Sequence, residues 1–131
     1  MQRRPRYRNL MAEITAWLNA AVERAVVAGI RREQVIIDPG IGFGKTTGDN
    51  LEILRRLREL ETIDRPVLLG PSRKSFIGMT LGHKPEGRLE GTLAACVIGA
   101  RNGANILRVH DVKPVVRALR LLDATMETPG C

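Results

Sequence analysis

Apolar residues recur at helical spacing from Leu10 to Val27, at Leu10, Ile14, Trp17, Leu18, Ala21, Val22 and Ala25. The pattern predicts an amphipathic helix with Gly29 as its C-cap. Val35-Ile36-Ile37 is a short β-branched run and predicts a buried strand. It enters a turn-rich stretch from Asp38 to Lys45. Asp49 is the expected cap of a second helix, with Glu52 completing a box and Leu51, Leu54, Leu57 and Leu60 as its apolar stripe. Pro66 to Gly70 predicts a second strand, after which Ser72-Arg73-Lys74-Ser75 opens a short helix through Ile77. A loop follows around His83-Lys84-Pro85. Glu90 to Ala100 predicts a helix ended by Asn102-Gly103, and Asn105 to Val109 a third strand. Asp111 is the expected cap of the last helix, with Pro114 tolerated in its first turn.

The order is α-β-α-β-α-β-α. Short apolar strands alternating with helices imply an α/β fold with a parallel sheet of about three strands. Functional groups in such folds gather at the C-terminal ends of strands. Asp38, Ser72 and His110 all fall there.

Composition narrows the partners. The 131 residues are enough for one domain with a real core, and no internal repeat or long linker divides them. Aromatic content of 3% leaves no stacking platform for single-stranded nucleic acid. The net charge of +7 comes mostly from arginines that are scattered, apart from Arg3, Arg4, Arg6 and Arg8. Scattered arginine reads as a solvated surface rather than a nucleic-acid footprint. Cys96 and Cys131 have no CxxC or Cys/His neighbours, so no metal site or disulfide framework is expected. No apolar run approaches a membrane span of about 18 residues. The basic N-terminus lacks a signal-type core, and a reducing cytoplasm fits.

Each strand end has a plain structural explanation as well as a chemical one. Gly40-Ile41-Gly42-Phe43-Gly44-Lys45-Thr46 misses the phosphate-loop pattern at Pro39 and the dinucleotide fingerprint at Lys45. Its glycines either let backbone approach a flat ligand beside Phe43 or merely make a turn. Asp38 either presents two oxygens to an N–H/NH₂ edge or caps the next segment. Ser72 serves equally as an N-cap or as part of an anion site, and Lys74 equally snorkels to solvent. Arg108 and His110 stand two apart on a strand and so on one side of the sheet, where a di- or polyanion can be held. An arginine there can also simply pair with a carboxylate. Three adjacent strands delivering polar groups at one end nevertheless point to a single site for an anionic, heterocyclic small molecule.

These segments resemble dihydropteroate synthase, the pterin-binding (β/α)8 barrel family of folate biosynthesis. The resemblance rests on Ile37 to Lys45, on Gly70-Pro71-Ser72-Arg73-Lys74-Ser75-Phe76-Ile77-Gly78 and on Arg108-Val109-His110-Asp111, with Arg88 to Thr92 also similar. It implies a cytoplasmic transferase of the class targeted by sulfonamides. That enzyme condenses 6-hydroxymethyl-7,8-dihydropterin diphosphate with p-aminobenzoate and releases pyrophosphate. Asp38 would bind the pterin's amino-pyrimidine edge, and Lys74 its carbonyl and ring nitrogen. Arg108 and His110 would hold the diphosphate, with the Val109 backbone between them. Phe43 and Ser75 would line the p-aminobenzoate pocket. Gly42, Gly70 and Ser72 complete the implied substrate-binding set, and Lys74, Arg108 and His110 the catalytic one.

The resemblance covers only the C-terminal part of such a TIM barrel, so residues 1–131 are expected to form a partial pterin-binding domain. Magnesium would assist on the diphosphate, its asparagine ligand and two mobile loops lying in the other half. Met1-Gln2 matches a position just after the fifth barrel strand. A three-stranded slice has open edges and an uncovered face, so self-association or a homodimer is expected. The alternatives are a catalytically inactive pterin- or anion-binding fragment and an oligomerisation module.

Overall fold

The computed structural model describes residues 8–82 and 87–127. The expected basic cluster at Arg3, Arg4 and Arg6, the loop at His83-Lys84-Pro85 and Cys131 lie outside the described residues.

Helix α1 spans Leu10–Val27. The Asn9 side chain accepts from the Ala12 amide and caps its start. Ala28 is the C-cap, and Gly29 follows at φ +104°, a left-handed conformation that glycine adopts freely. Leu10, Met11, Ile14, Leu18 and Val22 are buried along one face, whereas Trp17 turns outward at 63% exposure.

Three segments then run side by side. Ile37 forms a single parallel bridge to Val67, its amide donating to the Pro66 carbonyl at 2.9 Å. Strand β1, Leu68–Leu69, pairs in parallel with β2, Ile106–Leu107, in the register Leu68↔Ile106 and Leu69↔Leu107. The fold is therefore α/β, mostly helical, with a small parallel sheet. The paired stretches are shorter than the apolar runs. Pro39 and Pro71 stand just beyond the first two runs, and proline has no N–H with which to extend a ladder.

Helix α2, Thr47–Arg56, is capped by Thr46, whose side chain receives the Asp49 amide while the Asp49 carboxylate receives the Thr46 amide. Asp49 thus serves as the third residue of the box and not as the cap. Glu52 pairs instead with Arg56. The buried stripe is Asn50, Ile53 and Leu54, continuing through Leu57, Leu60 and Ile63 of the 3₁₀ segment Leu57–Ile63. Leu51 is exposed.

Helix α3 covers Ser75–Leu81, α4 Leu89–Arg101 and α5 Val112–Met126. Gly99 of α4 sits where a Cβ would collide with Leu69, so the absent side chain lets the helix lie close on β1. The core joins α1, Ile37, Ile41, α2 with its 3₁₀ extension, β1, Phe76, Ile77 and Ala95. Asp111 makes no side-chain cap to α5. Among the described residues no helix is long and apolar enough to cross a membrane.

Candidate functional site

The C-terminal ends of the three parallel segments lead into three loops: residues 38–46, 70–74 and 108–111. Each is tied down by its own hydrogen bonds.

In the first loop, an Asp38 carboxylate oxygen accepts from the Gly40 amide at 2.8 Å. Gly40, Gly42 and Gly44 all have positive φ, so the chain doubles back in a way that side chains resist. Buried Asn50 accepts from the Gly42 amide at 2.7 Å and donates to the Thr46 carbonyl, which fixes the loop to α2. Lys45 folds inward, donating to the carbonyls of Gly40 and Phe43 at 2.9 Å each. Burial lowers its ammonium pKa, against the opposing pull of Asp38 and Asp49.

The second loop departs from expectation. Helix α3 begins at Ser75, with Lys74 rather than Ser72 in the cap position. Ser72 is buried, and its Oγ lies 2.8 Å from His110 Nδ1 and accepts the His110 amide at 3.2 Å. Arg73 sits at φ +57°, costing roughly 1–3 kcal/mol for a residue with a Cβ. Its backbone is held on both sides: the amide donates to Thr92 Oγ1 and the carbonyl accepts from Arg88 Nη1. Its guanidinium grips the Asp111 carboxylate with two hydrogen bonds, at 3.2 and 2.8 Å. Lys74 then reaches across to the first loop. Its Nζ donates to the Ile41 carbonyl at 2.6 Å and stands 4.2 Å from the centre of the Phe43 ring.

In the third loop, the sheet register carries beyond the last paired residues. Arg108 lies beside Gly70 and His110 beside Ser72, the same offset of 38 that pairs Leu68 with Ile106. The Arg108 amide donates to the Leu69 carbonyl at 3.0 Å. Its guanidinium crosses over Gly70, whose missing Cβ would fall 2.5 Å from Nη2, and comes within 3.6 Å of Asp38.

The structure thus brings Asp38, Lys74, Arg108 and Lys45 into one electrostatic neighbourhood. Burial holds the Lys74 ammonium below the usual lysine value, Arg108 and Lys45 push the same way, and Asp38 opposes them. Three cations against Asp38, with Asp49 also near Lys45, leave a net positive field, suited to an anion. Phe43 offers an exposed ring beside it, and Ser75 is exposed at the start of α3. Gly42 is bare because a Cβ there would run into the Lys74 side chain. Val109 is half-buried between Arg108 and His110. Clefts open on both flanks: about 420 Å³ between α1 and Asp38, and about 520 Å³ beside Arg108 and Val109 under α5.

Asn50, Thr92, Arg88 and Asp111 support these loops and were not singled out from sequence for that work. Asn50 and Thr92 are polar positions on otherwise apolar helix faces, which is the signal the sequence offers, and both are buried. The Arg73–Asp111 tie joins residues 38 apart and leaves no local trace.

Similarity to known proteins runs along most of the chain. The family model for pterin binding enzymes matches residues 1–110. The dihydropteroate synthase of Escherichia coli K12 is 44% identical over 126 residues, which is 96% of this chain and 45% of that protein. The Bacillus subtilis enzyme is 42% identical, over 99% of this chain and 46% of its own length. Among solved structures, the Yersinia pestis dihydropteroate synthase with a sulfonamide drug superposes at TM-score 0.92 and 43% identity, covering 95% of this chain and 45% of that one. The Xanthomonas albilineans enzyme with 7,8-dihydropteroate superposes at TM-score 0.94 and 41% identity, covering 98% and 50%. The chain spans about half the length of the curated relatives it matches.

Proposed function

We propose, since this chain belongs to the pterin-binding enzyme family, that it supplies the C-terminal part of a dihydropteroate synthase. Its three parallel segments are neighbouring staves of a (β/α)8 barrel, a fold of about 250 residues. The whole enzyme joins 6-hydroxymethyl-7,8-dihydropterin diphosphate to p-aminobenzoate. The arylamine nitrogen attacks the exocyclic methylene carbon, the carbon–oxygen bond to the diphosphate breaks, pyrophosphate leaves and the amine gives up a proton.

The observation that carries this reading is the convergence of Asp38, Lys74 and Arg108 from three strand ends. The Asp38 carboxylate accepts from the amino group and ring N–H of the pterin. Lys74 leaves the Ile41 carbonyl to contact the pterin carbonyl and ring nitrogen. Arg108 swings from Asp38 to the diphosphate, where His110 joins it, with the Val109 backbone between. Charge that accumulates on the leaving oxygens is met by groups already oriented. Phe43 and Ser75 border the arylamine, and the bare Gly42 and Gly70 leave room for Lys74 and Arg108 to move.

Magnesium is expected on the diphosphate in this family. The side chains at the three strand ends are mostly cationic and do not fit as ligands of magnesium. The carboxylate nearest those cations, Asp38, already faces the Gly40 amide and Arg108. No step here is routed through the ion.

Calorimetric titration of the 131-residue chain with the pterin diphosphate tests the proposal. Binding should weaken by about tenfold or more in Arg108→Ala and in Lys74→Ala, the loss of one charge-assisted contact each. Equal binding by all three proteins, or none by the parent chain, overturns it. Turnover is not expected from this chain alone, because the other half of the barrel site lies outside it.

A further inference from the structure

Ser72 is one of three buried polar or charged residues among those described, and its hydroxyl meets two atoms there, both on His110. A hydroxyl owns one proton and two lone pairs. One lone pair takes the His110 amide at 3.2 Å, and among the described residues His110 Nδ1, 2.8 Å away, is the only acceptor within reach of the proton. Burying the hydroxyl with its proton unused would be costly. In neutral His110 the Ser72 proton therefore goes to Nδ1, and the ring's own proton must reside on Nε2. The far nitrogen is then a donor, aimed away from Ser72 on an exposed residue.

We infer that Ser72 is a positioning residue: it locks His110 in the Nε2–H tautomer, so that the neutral ring presents a hydrogen-bond donor to a phosphate-bearing ligand beside Arg108. The inference rests on the anion site proposed above, but gives Ser72 a different role from a ligand contact. A neutral ring in the opposite tautomer would turn a lone pair toward the same oxygens and repel them. Two grips hold the arrangement. The shared offset of 38 sets His110 beside Ser72, and the paired hydrogen bonds of Arg73 to Asp111 clamp the residues that follow each of them. The Ser72 contact fixes ring rotation as well as proton position, which a purely steric neighbour would not do.

His83 and His110 are the chain's two histidines, so their ring nitrogens can be assigned by comparison with a His110→Gln variant. Long-range proton–nitrogen NMR of the ¹⁵N-labelled chain, about two pH units above the ordinary imidazole value of about 6.5, reads the tautomer without any ligand. The expected result is an unprotonated Nδ1 and a protonated Nε2. Ser72→Ala should lose that preference and bind inorganic pyrophosphate about three- to tenfold more weakly, one neutral hydrogen bond's worth. Ser72→Thr, which keeps the hydroxyl, should retain both properties. A protonated Nδ1 in the parent chain overturns the inference and requires no variant to fold. So does a Ser72→Ala protein with parental tautomer, or one with altered tautomer but parental pyrophosphate affinity. Failure of the parent chain to bind pyrophosphate would strike the proposed function and remove the ligand from this inference; the tautomer would still decide whether Ser72 orients the ring.

Discussion

Replacing Gly70 by alanine adds one methyl group and changes no charge, yet it should weaken the anion site. Gly70 is buried, and its φ is not among the left-handed values, so alanine fits the backbone. The added Cβ would stand 2.5 Å from Arg108 Nη2, 2.9 Å from Cζ and 3.0 Å from Nε. All three atoms belong to the far end of a flexible side chain, so the guanidinium moves and the backbone stays. What the fold loses is a 3.6 Å contact to Asp38 between partly exposed groups, worth about 0–1 kcal/mol. Alanine returns about 0.4–1 kcal/mol by restricting the unfolded chain. The net stability change should therefore lie within about 1 kcal/mol, a few degrees in Tm. An anion loses much more: a hydrogen bond to a charged group is worth about 1.5–3 kcal/mol, or roughly 10- to 150-fold in Kd. Urea unfolding and calorimetric titration with pyrophosphate measure the two effects separately. Parental pyrophosphate affinity would refute the claim that Arg108 crosses over Gly70 to serve the anion. A stability loss above about 3 kcal/mol would refute the claim that only a side-chain tip must give.

Other perturbations probe the supports. In Gly99→Ala the methyl group lands against fully buried Leu69, which has no open side to turn to; overpacking of about 1–3 kcal/mol should outweigh a helix-propensity gain of about 1 kcal/mol. The urea midpoint falls, and a rise would show slack between α4 and β1. The Arg73 guanidinium holds the Asp111 carboxyl below its usual range. A carboxyl depressed on folding adds stability above its unfolded value of about 3.9 and loses it as pH falls through the lower folded value. Asp111→Asn should therefore flatten the acid limb of the stability–pH curve, and identical limbs would deny the tie. Ile36, next to the bridged Ile37, and Ile106 of β2 are exposed at 51% and 37%, so the isolated chain should self-associate in sedimentation; a cooperatively unfolding monomer would contradict that.

Much of this architecture is legible in the amino-acid order, for definite reasons. The apolar runs ending at Leu69 and Leu107 mark strands that pair in parallel, and Arg108 just beyond the second does meet Asp38; the β-branched run at Val35-Ile36-Ile37 forms no buried strand, only the Ile37 bridge, with Ile36 turned out. The α1 stripe is also legible, except that Trp17 lies on the margin of the face and turns out. Local pattern fails where distant residues decide. Leu51 looks like stripe and Asn50 like surface, but Asn50 is buried because the Gly42 amide and Thr46 carbonyl satisfy it. Asp111 looks like a helix cap and is taken by Arg73. Ser72 has the sequence position of a helix start and is held by His110, so α3 begins three residues later. Lys74 and Phe43 carry separate expectations, for pterin and for arylamine, and the structure lays one over the other. No spacing rule encodes that contact, because it depends on how two loops from neighbouring strands face each other.

If the three strand ends form one binding site, they should respond to ligand together. Backbone amide NMR during titration with 6-hydroxymethyl-7,8-dihydropterin diphosphate tests it most directly. The amides of Asp38, Gly40 to Phe43, Gly70, Ser72 to Ser75 and Arg108 to Asp111 should shift together along a single binding curve with one Kd. Shifts confined to one of the three loops, or following unrelated curves, would contradict it.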